Sequence, residues 1–389
     1  MKNSAPVAGS SRISAIDTVR GAAMVFMALD HVRDFVTELR FQPEDLARGS
    51  AFLFATRWVT HFCAPAFFLL AGVGIGISRI RGVAAGAQSR YLLIRGLWLL
   101  VLELIITPVG WQFAVDLLPA FALVLWALGW SMIAMALLVH VPVGAVAAIS
   151  VVTIAGHNLL DPIQPQSLGP FAGLWHALHQ PGFVIPNVLF IGYPLVPWIA
   201  VMSLGYCLAD VYQWQPERRR RFLVGAGVAA VAVFVALRAF NGYGNTFPWA
   251  PQRTPALTVA SFLNLRKYPP SLQFLLMTLG PTLVFLALAE RARGRFARFL
   301  GVYGRVPLFF YVAHIFVAHA VAVLLAFAQG GEWRRIPIIS APQLIPDWYG
   351  VSLPGVYLAW ALVVLVLFYP CRKFARLKET RKDWWLRYL

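Results

Sequence analysis

Of the 389 residues, 59% are hydrophobic and only 13% are charged, about half the charged share of a soluble globular chain. With a mean hydropathy of +0.69, this excludes a soluble multidomain protein and places the chain among polytopic membrane proteins. Net charge is +17, from 33 basic and 16 acidic residues. No aromatic-basic nucleic-acid motif accompanies it, so the charge is assigned to loops facing anionic lipid and not to nucleic acid.

In chain order the apolar runs predict helices over 18–36, 57–78, 91–110, 117–140, 142–159, 187–210, 222–241, 271–290, 304–328 and 353–371. Most hold roughly 20 residues, enough for ~30 Å of hydrocarbon. The expectation is an all-α polytopic membrane protein of about ten transmembrane helices, forming a single domain over 1–389. A polar N-terminal segment, 1–17, and a basic tail, 372–389, would flank it. The N-terminus lacks an apolar run, so no cleaved signal peptide is expected. With the N-terminus inside and the spans alternating, inside segments carry 23 of the 33 Lys and Arg, including "ERRRR" and "ERARGRFAR". Both termini are therefore expected to be cytoplasmic.

This topology gathers polar residues at one face. Asp30, His31 and Asp34 end the first span in "ALDHVRDF", and His61 begins the second. Glu103 lies in the third. His157, Asn158 and Asp161 close the fifth, Asn264 and Lys267 lead into the eighth, and His314 and His319 lie in the ninth. Ionisable groups at membrane depth cost about 2.5–3.5 kcal/mol at a helix centre on insertion scales. His31 faces Asp34 at i+3, and Asp30 faces Arg33 and Asp34, so a carboxylate could orient an imidazole base. The same cluster could also be a solvated, self-paired helix end. His61 rivals His31 as the base. "GVGIG" at 72–76 lies inside a helix without a preceding strand, so it reads as close helix packing and not as a nucleotide fingerprint. Cys63, Cys207 and Cys371 show no metal spacing and read as packing residues, and no metal is expected.

The stretches "RISAIDTVRGAAMVFMALDHVRDF" and "RWVTHFCAPAFFLLAG", with Arg12, Asp17, Arg20, Gly21, Asp30, His31, His61, Pro65 and Gly72, resemble a bacterial membrane family. That family is of unknown function and is similar to the catalytic domain of heparan-alpha-glucosaminide N-acetyltransferase, within the transmembrane acyltransferase superfamily. "GHNLLD", "RAFNGYG", "LNLRKYPPS" and "GRVPLFFYVAH" extend the resemblance along the bacterial group. It implies a membrane-embedded acyltransferase moving an acyl group, acetyl by analogy, from cytosolic acyl-CoA to an extracytoplasmic sugar or related acceptor in the bacterial inner membrane. The lysosomal enzyme carries its catalytic histidine between the first two helices. Here residues 35–60 contain none, and His31 and His61 occupy the positions of its polar Asn and Asp.

On this reading His31, His61, Asp30 and Asp34 are the catalytic candidates. Glu103, His157, Asn158, Asp161, Asn264, Lys267 and His314 are candidate substrate-binding residues. Arg20, Arg95 and Arg305 are candidates for the phosphates of acyl-CoA, each equally an ordinary positive-inside anchor. The expected partners are the lipid bilayer, the acyl donor, a glycan-like acceptor and, as one option, a second copy in a homodimer. Direct transfer and an acyl-histidine intermediate both stay open. The alternative class is a proton-coupled transporter or channel using the same polar cavity.

Overall fold

The computed structural model describes residues 13–112, 118–332, 345–381 and 383–388. Arg12, most of the expected N-terminal segment, the first residue of the span expected over 117–140 and two residues of the expected tail lie outside them.

The helices are α1 (Ser14–Val36), α2 (Ala51–Trp58), α3 (Cys63–Ile80), α4 (Ala85–Val101), α5 (Thr107–Gln112), α6 (Val124–Leu138), α7 (Val143–Gly156), α8 (Ala172–Leu178), α9 (Leu195–Leu208), α10 (Pro216–Ala239), α11 (Pro255–Leu263), α12 (Leu272–Ala289), α13 (Arg295–Arg305), α14 (Pro307–Ala328) and α15 (Leu353–Thr380). Local chemistry sets several starts. Ser50, Thr254 and Ser271 cap α2, α11 and α12 by accepting the N–H three residues on, while α10, α11 and α14 open on proline.

The protein is an all-α polytopic membrane protein. Among the described residues, eight helical stretches are long and apolar enough to cross a membrane: Ala51–Ile80, Ala85–Trp111, Val143–Leu160, Leu195–Gln213, Pro216–Ala239, Leu272–Ala289, Pro307–Ala328 and Leu353–Thr380. At the two other expected positions stand α6, apolar but only 15 residues long, and α1, 23 residues long but charged at both ends. The last helix runs to Thr380, through much of the segment expected as a basic tail.

α1 is the hub of the bundle, packing on α3, α12, α13, α14 and α15. Large apolar side chains that face outward, such as Leu137 on α6, Phe285 on α12 and Leu358 on α15, are what a lipid environment accommodates. Two glycine seams bring backbones into contact. A Cβ on Gly72 would meet the Met202 carbonyl oxygen at 1.9 Å, and one on Gly205 would meet that of Leu69 at 2.1 Å, so α3 and α9 pack as the "GVGIG" pattern predicts. Likewise a Cβ on Gly21 would lie 1.9 Å from the Leu300 oxygen, and one on Gly304 1.8 Å from that of Asp17. The "IDTVRG" start of α1 is thereby locked onto α13.

Two features depart from the sequence reading. The segment over 291–305, taken as a basic loop, contains α13, whose Leu300, Gly301, Tyr303 and Gly304 are buried while Arg295, Phe296 and Arg298 are exposed. A small sheet also joins β1 (Ala120–Ala122), β3 (Leu189–Ile191) and β2 (Gly182–Ile185), in that order. β1 runs parallel to β3, with Phe121 opposite Phe190, and β2 runs antiparallel to it. The sheet forms one wall of the cavity described next.

Candidate active site

A cavity of about 320 Å³ lies at the end of the bundle where α1 finishes. The chain builds it from five regions. α1 supplies Asp30, His31 and Asp34, and the α2–α3 junction supplies Arg57, Thr60 and Cys63. Trp111 comes from α5, Lys267 and Tyr268 from the turn before α12, and Tyr311 from α14. Phe121, Phe190 and Tyr193 complete an aromatic wall. The volume falls within the range of small-molecule sites, and the mixture of aromatic faces with a few polar groups is what such sites use.

The centre of the site is a pair of imidazoles. His31 Nδ1 lies 2.7 Å from His314 Nε2, with the rings stacked at 5.0 Å. His314 Nδ1 lies 3.1 Å from the carbonyl oxygen of Phe310, one turn back on α14. A carbonyl only accepts, so His314 donates from Nδ1. Its Nε2 then carries the lone pair, and His31 must donate to it from Nδ1. This leaves the lone pair of His31 on Nε2, the nitrogen without a partner among the described residues, on a ring that lines the cavity. Such an imidazole is set to accept a proton.

The carboxylates do not orient that imidazole. Asp30 is in direct ionic contact with Arg57, and its other oxygen lies 3.9 Å from Lys267 Nζ. The correction has a simple cause. A guanidinium presented across the cavity is a stronger partner for a desolvated carboxylate than a neutral ring on its own helix. Asp34 lines the cavity without making the i+3 pair with His31 among the hydrogen bonds and ion pairs described for either residue. Arg57 also donates from Nε to Glu44 Oε1 at 2.9 Å. His61 sits on the 3₁₀ turn between α2 and α3, 3.7 Å from Glu44 and tilted against Phe274, and it is not among the residues lining the cavity. Burial alone would raise the Glu44 carboxyl. The adjoining His61, a backbone hydrogen bond and the charge of Lys267 together more than offset this, so the group lies below its ordinary value.

The remaining expected residues stand elsewhere. Glu103 is fully buried on a π turn (Leu102–Ile106) and accepts the Leu123 N–H at 2.6 Å, placing its carboxyl group at the N-terminus of α6. Asn158 accepts the Leu272 N–H and donates to Asp161, and Asp161 in turn bonds His179 at 2.9 Å. His157 lies between carbonyls, with Nε2 2.9 Å from that of Pro270 and Nδ1 3.0 Å from that of Ile154. Asn264 donates to the Glu44 carbonyl. These four clamp loops around the cavity without lining it. Of the expected substrate-binding residues, Lys267 lines it and His314 backs it.

Arg20 reaches the carbonyls of Leu70 and Gly304, Arg95 reaches Tyr91 and the Arg387 carbonyl, and Arg305 pairs with Glu379. Their separate partners do not assemble them into one phosphate cradle, and none lines the cavity. Sequence reasoning missed Arg57, Trp111, Tyr193, Tyr268 and Tyr311. Only Arg57, a cation at the mouth of an apolar run, left a signal there.

The fold and site together define an integral-membrane protein with a histidine-bearing polar cavity at one end of its helical bundle. Residues 12–239 match the family described as heparan-alpha-glucosaminide N-acetyltransferase, catalytic, and the chain belongs to that family. The matched segment spans α1 to α10, including His31, Arg57 and Trp111. Lys267, Tyr311 and His314 lie beyond it and enter the site on geometry alone. No individual curated protein matches the chain.

Proposed function

We propose that the protein transfers an acyl group from acyl-CoA, acetyl-CoA by family analogy, to a sugar-like acceptor, with His31 as general base. The observation that carries this reading is the Phe310–His314–His31 chain of hydrogen bonds, which leaves a basic lone pair facing an aromatic-walled cavity. As the acceptor hydroxyl or amine attacks the thioester carbonyl, its proton passes to His31 Nε2. The carbon–sulfur bond then breaks, and the imidazolium returns the proton to the departing thiolate. Aromatic faces such as Tyr268 and Trp111 suit the apolar face of a sugar ring. Lys267, 3.9 Å from Asp30 Oδ2, adds a cation to the cavity lining.

The distribution of basic residues orients the site outward, with both termini cytoplasmic, in a bacterial inner membrane. Donor and acceptor would then approach from opposite sides. A cysteine introduced at Leu168 should react with an impermeant thiol reagent on intact cells, while one at Arg219 should be protected. The reverse pattern overturns the orientation.

Purified protein in liposomes, given radiolabelled acetyl-CoA and a panel of sugars, should yield labelled sugar. His31→Ala should insert normally and lose ~10²–10⁴ of the rate. Full turnover in His31→Ala overturns the assignment of the base. Proton-gradient-driven uptake without acyl-CoA turnover identifies a transporter instead.

A further inference from the structure

Two hydrogen-bond donors without a partner among the described residues belong to rings that flank the proposed base. Tyr311 stands three residues before His314 on α14, so both rings project from one face of that helix. Its ring meets His31 edge-on at 6.3 Å and 84°, and meets His314 at 5.6 Å. Tyr311 is only 4% exposed, yet it lines the cavity, and its hydroxyl makes no hydrogen bond with any described residue. On the other side Trp111, 6% exposed, lines the same cavity and meets His31 edge-on at 5.3 Å. Its Nε1–H is buried without a partner among the described residues. An indole N–H can only donate, and a buried donor left unpaired carries its full desolvation cost. Two donors carried on rings that line the cavity beside one lone pair are the arrangement a developing oxyanion requires.

We propose that Tyr311 Oη–H, assisted by Trp111 Nε1–H, donates to the thioester carbonyl oxygen and stabilises the oxyanion of acyl transfer. The inference rests on the acyl-transfer reading above. As the acceptor's lone pair forms the new bond to carbon, the carbonyl π pair moves onto oxygen and is held by these two donors. The acceptor's proton goes to His31 Nε2. The oxyanion then collapses, the carbon–sulfur bond breaks, and the thiolate takes the proton from His31. Tyr311 keeps its proton throughout and is a donor only.

The test compares wild type, Tyr311→Phe and Trp111→Phe, using acetyl-CoA and the acetyl thioester of a more acidic aryl thiol. Tyr311→Phe should lower kcat ~10²–10³-fold with either donor and change KM by no more than about twofold. Trp111→Phe should show a smaller loss of the same kind. Near-normal turnover in Tyr311→Phe overturns the proposal. So does a loss seen with acetyl-CoA that vanishes with the aryl thioester, because that is the behaviour of an acid serving the leaving group. If Tyr311→Phe unfolds, 3-fluorotyrosine at position 311, which keeps ring and hydroxyl, decides: it should stay within about tenfold of wild type at neutral pH, and inactivity in a folded protein overturns the proposal. A wild-type protein that turns over no acyl-CoA removes the acyl-transfer reading itself, an outcome distinct from a loss confined to the variants.

Discussion

His157 places its Nε2 2.9 Å from the carbonyl oxygen of Pro270, tying the end of α7 to the turn that carries Lys267 and Tyr268 into the cavity. The binding wall is therefore braced by a residue that does not touch the cavity. His157→Ala should remove the ring that bridges the Pro270 and Ile154 carbonyls and cost ~1–3 kcal/mol of stability. Its kinetic signature should be a higher KM with kcat within a few-fold of wild type. Thermal unfolding and steady-state kinetics measure both. A kcat loss as large as that of His31→Ala would mean that His157 enters the chemistry.

In the proposed mechanism His314 is a positioning residue, acting on substrate only through His31. His314→Ala removes the acceptor that fixes the His31 tautomer, so kcat should drop by ~10²–10⁴ with little change in KM. His314→Gln offers a side-chain oxygen that can accept from His31 Nδ1–H and should recover part of the loss, together with the shape of the pH–rate profile. Equal losses in the two variants would reduce His314 to a packing role.

Two neighbouring glycines should respond in opposite ways. At Gly72 a Cβ meets the Met202 backbone oxygen at 1.9 Å, whereas at Gly74 nothing lies within 4 Å. Gly72→Ala should destabilise by about 1–3 kcal/mol or more, because a backbone atom must yield. Gly74→Ala should be neutral, or stabilising by up to ~1 kcal/mol through helix propensity. Thermal unfolding in detergent separates the two. Equal tolerance would place the α3–α9 contact further apart than described.

Acid should weaken the loop clamp at a definite point. Burial alone would raise the Asp161 carboxyl, but hydrogen bonds from His179 and Asn158, with charges on His179 and Arg266, hold it below its ordinary value. A carboxyl depressed in the folded state stabilises fully above its unfolded pKa, about 3.9. That contribution is lost as pH falls through the lower folded value. Melting temperatures followed from pH 5 downward should therefore show an acid-dependent loss in wild type that Asp161→Asn lacks. Parallel curves for the two proteins would contradict the clamp.

The sequence made the helices legible because ~20-residue apolar runs have few other uses. It also made His31 and Lys267 legible as polar groups set among lipid-length segments. What it could not supply was the partner of each. Asp30 lies one residue before His31, yet it turns to Arg57 across the cavity, and the ring that orients His31 arrives from 283 positions away. The aromatic wall was hidden by abundance: with 14% aromatic residues, no spacing distinguishes Tyr311 or Trp111 from side chains that face lipid. β1 and β3 are three residues each and β2 four, too short for period-two alternation to register, and β1 pairs with β3 across more than 60 intervening positions. Glu103 was legible as a costly intramembrane charge, but its use as a cap depends on where α6 begins in space.

The seam in which Gly21 meets Leu300 and Gly304 meets Asp17 gives the site a common datum. His31 stands ten residues beyond Gly21 along α1, about 15 Å at 1.5 Å per residue. His314 also stands ten residues beyond Gly304, across the break at Val306 that separates α13 from α14. The alignment of two rings near the mouth of the bundle is thus gauged from a seam near its opposite end, as two calliper arms take their gap from one pivot. Wedging that seam open by a single methyl group would tilt one arm against the other and misalign the imidazoles without touching the cavity.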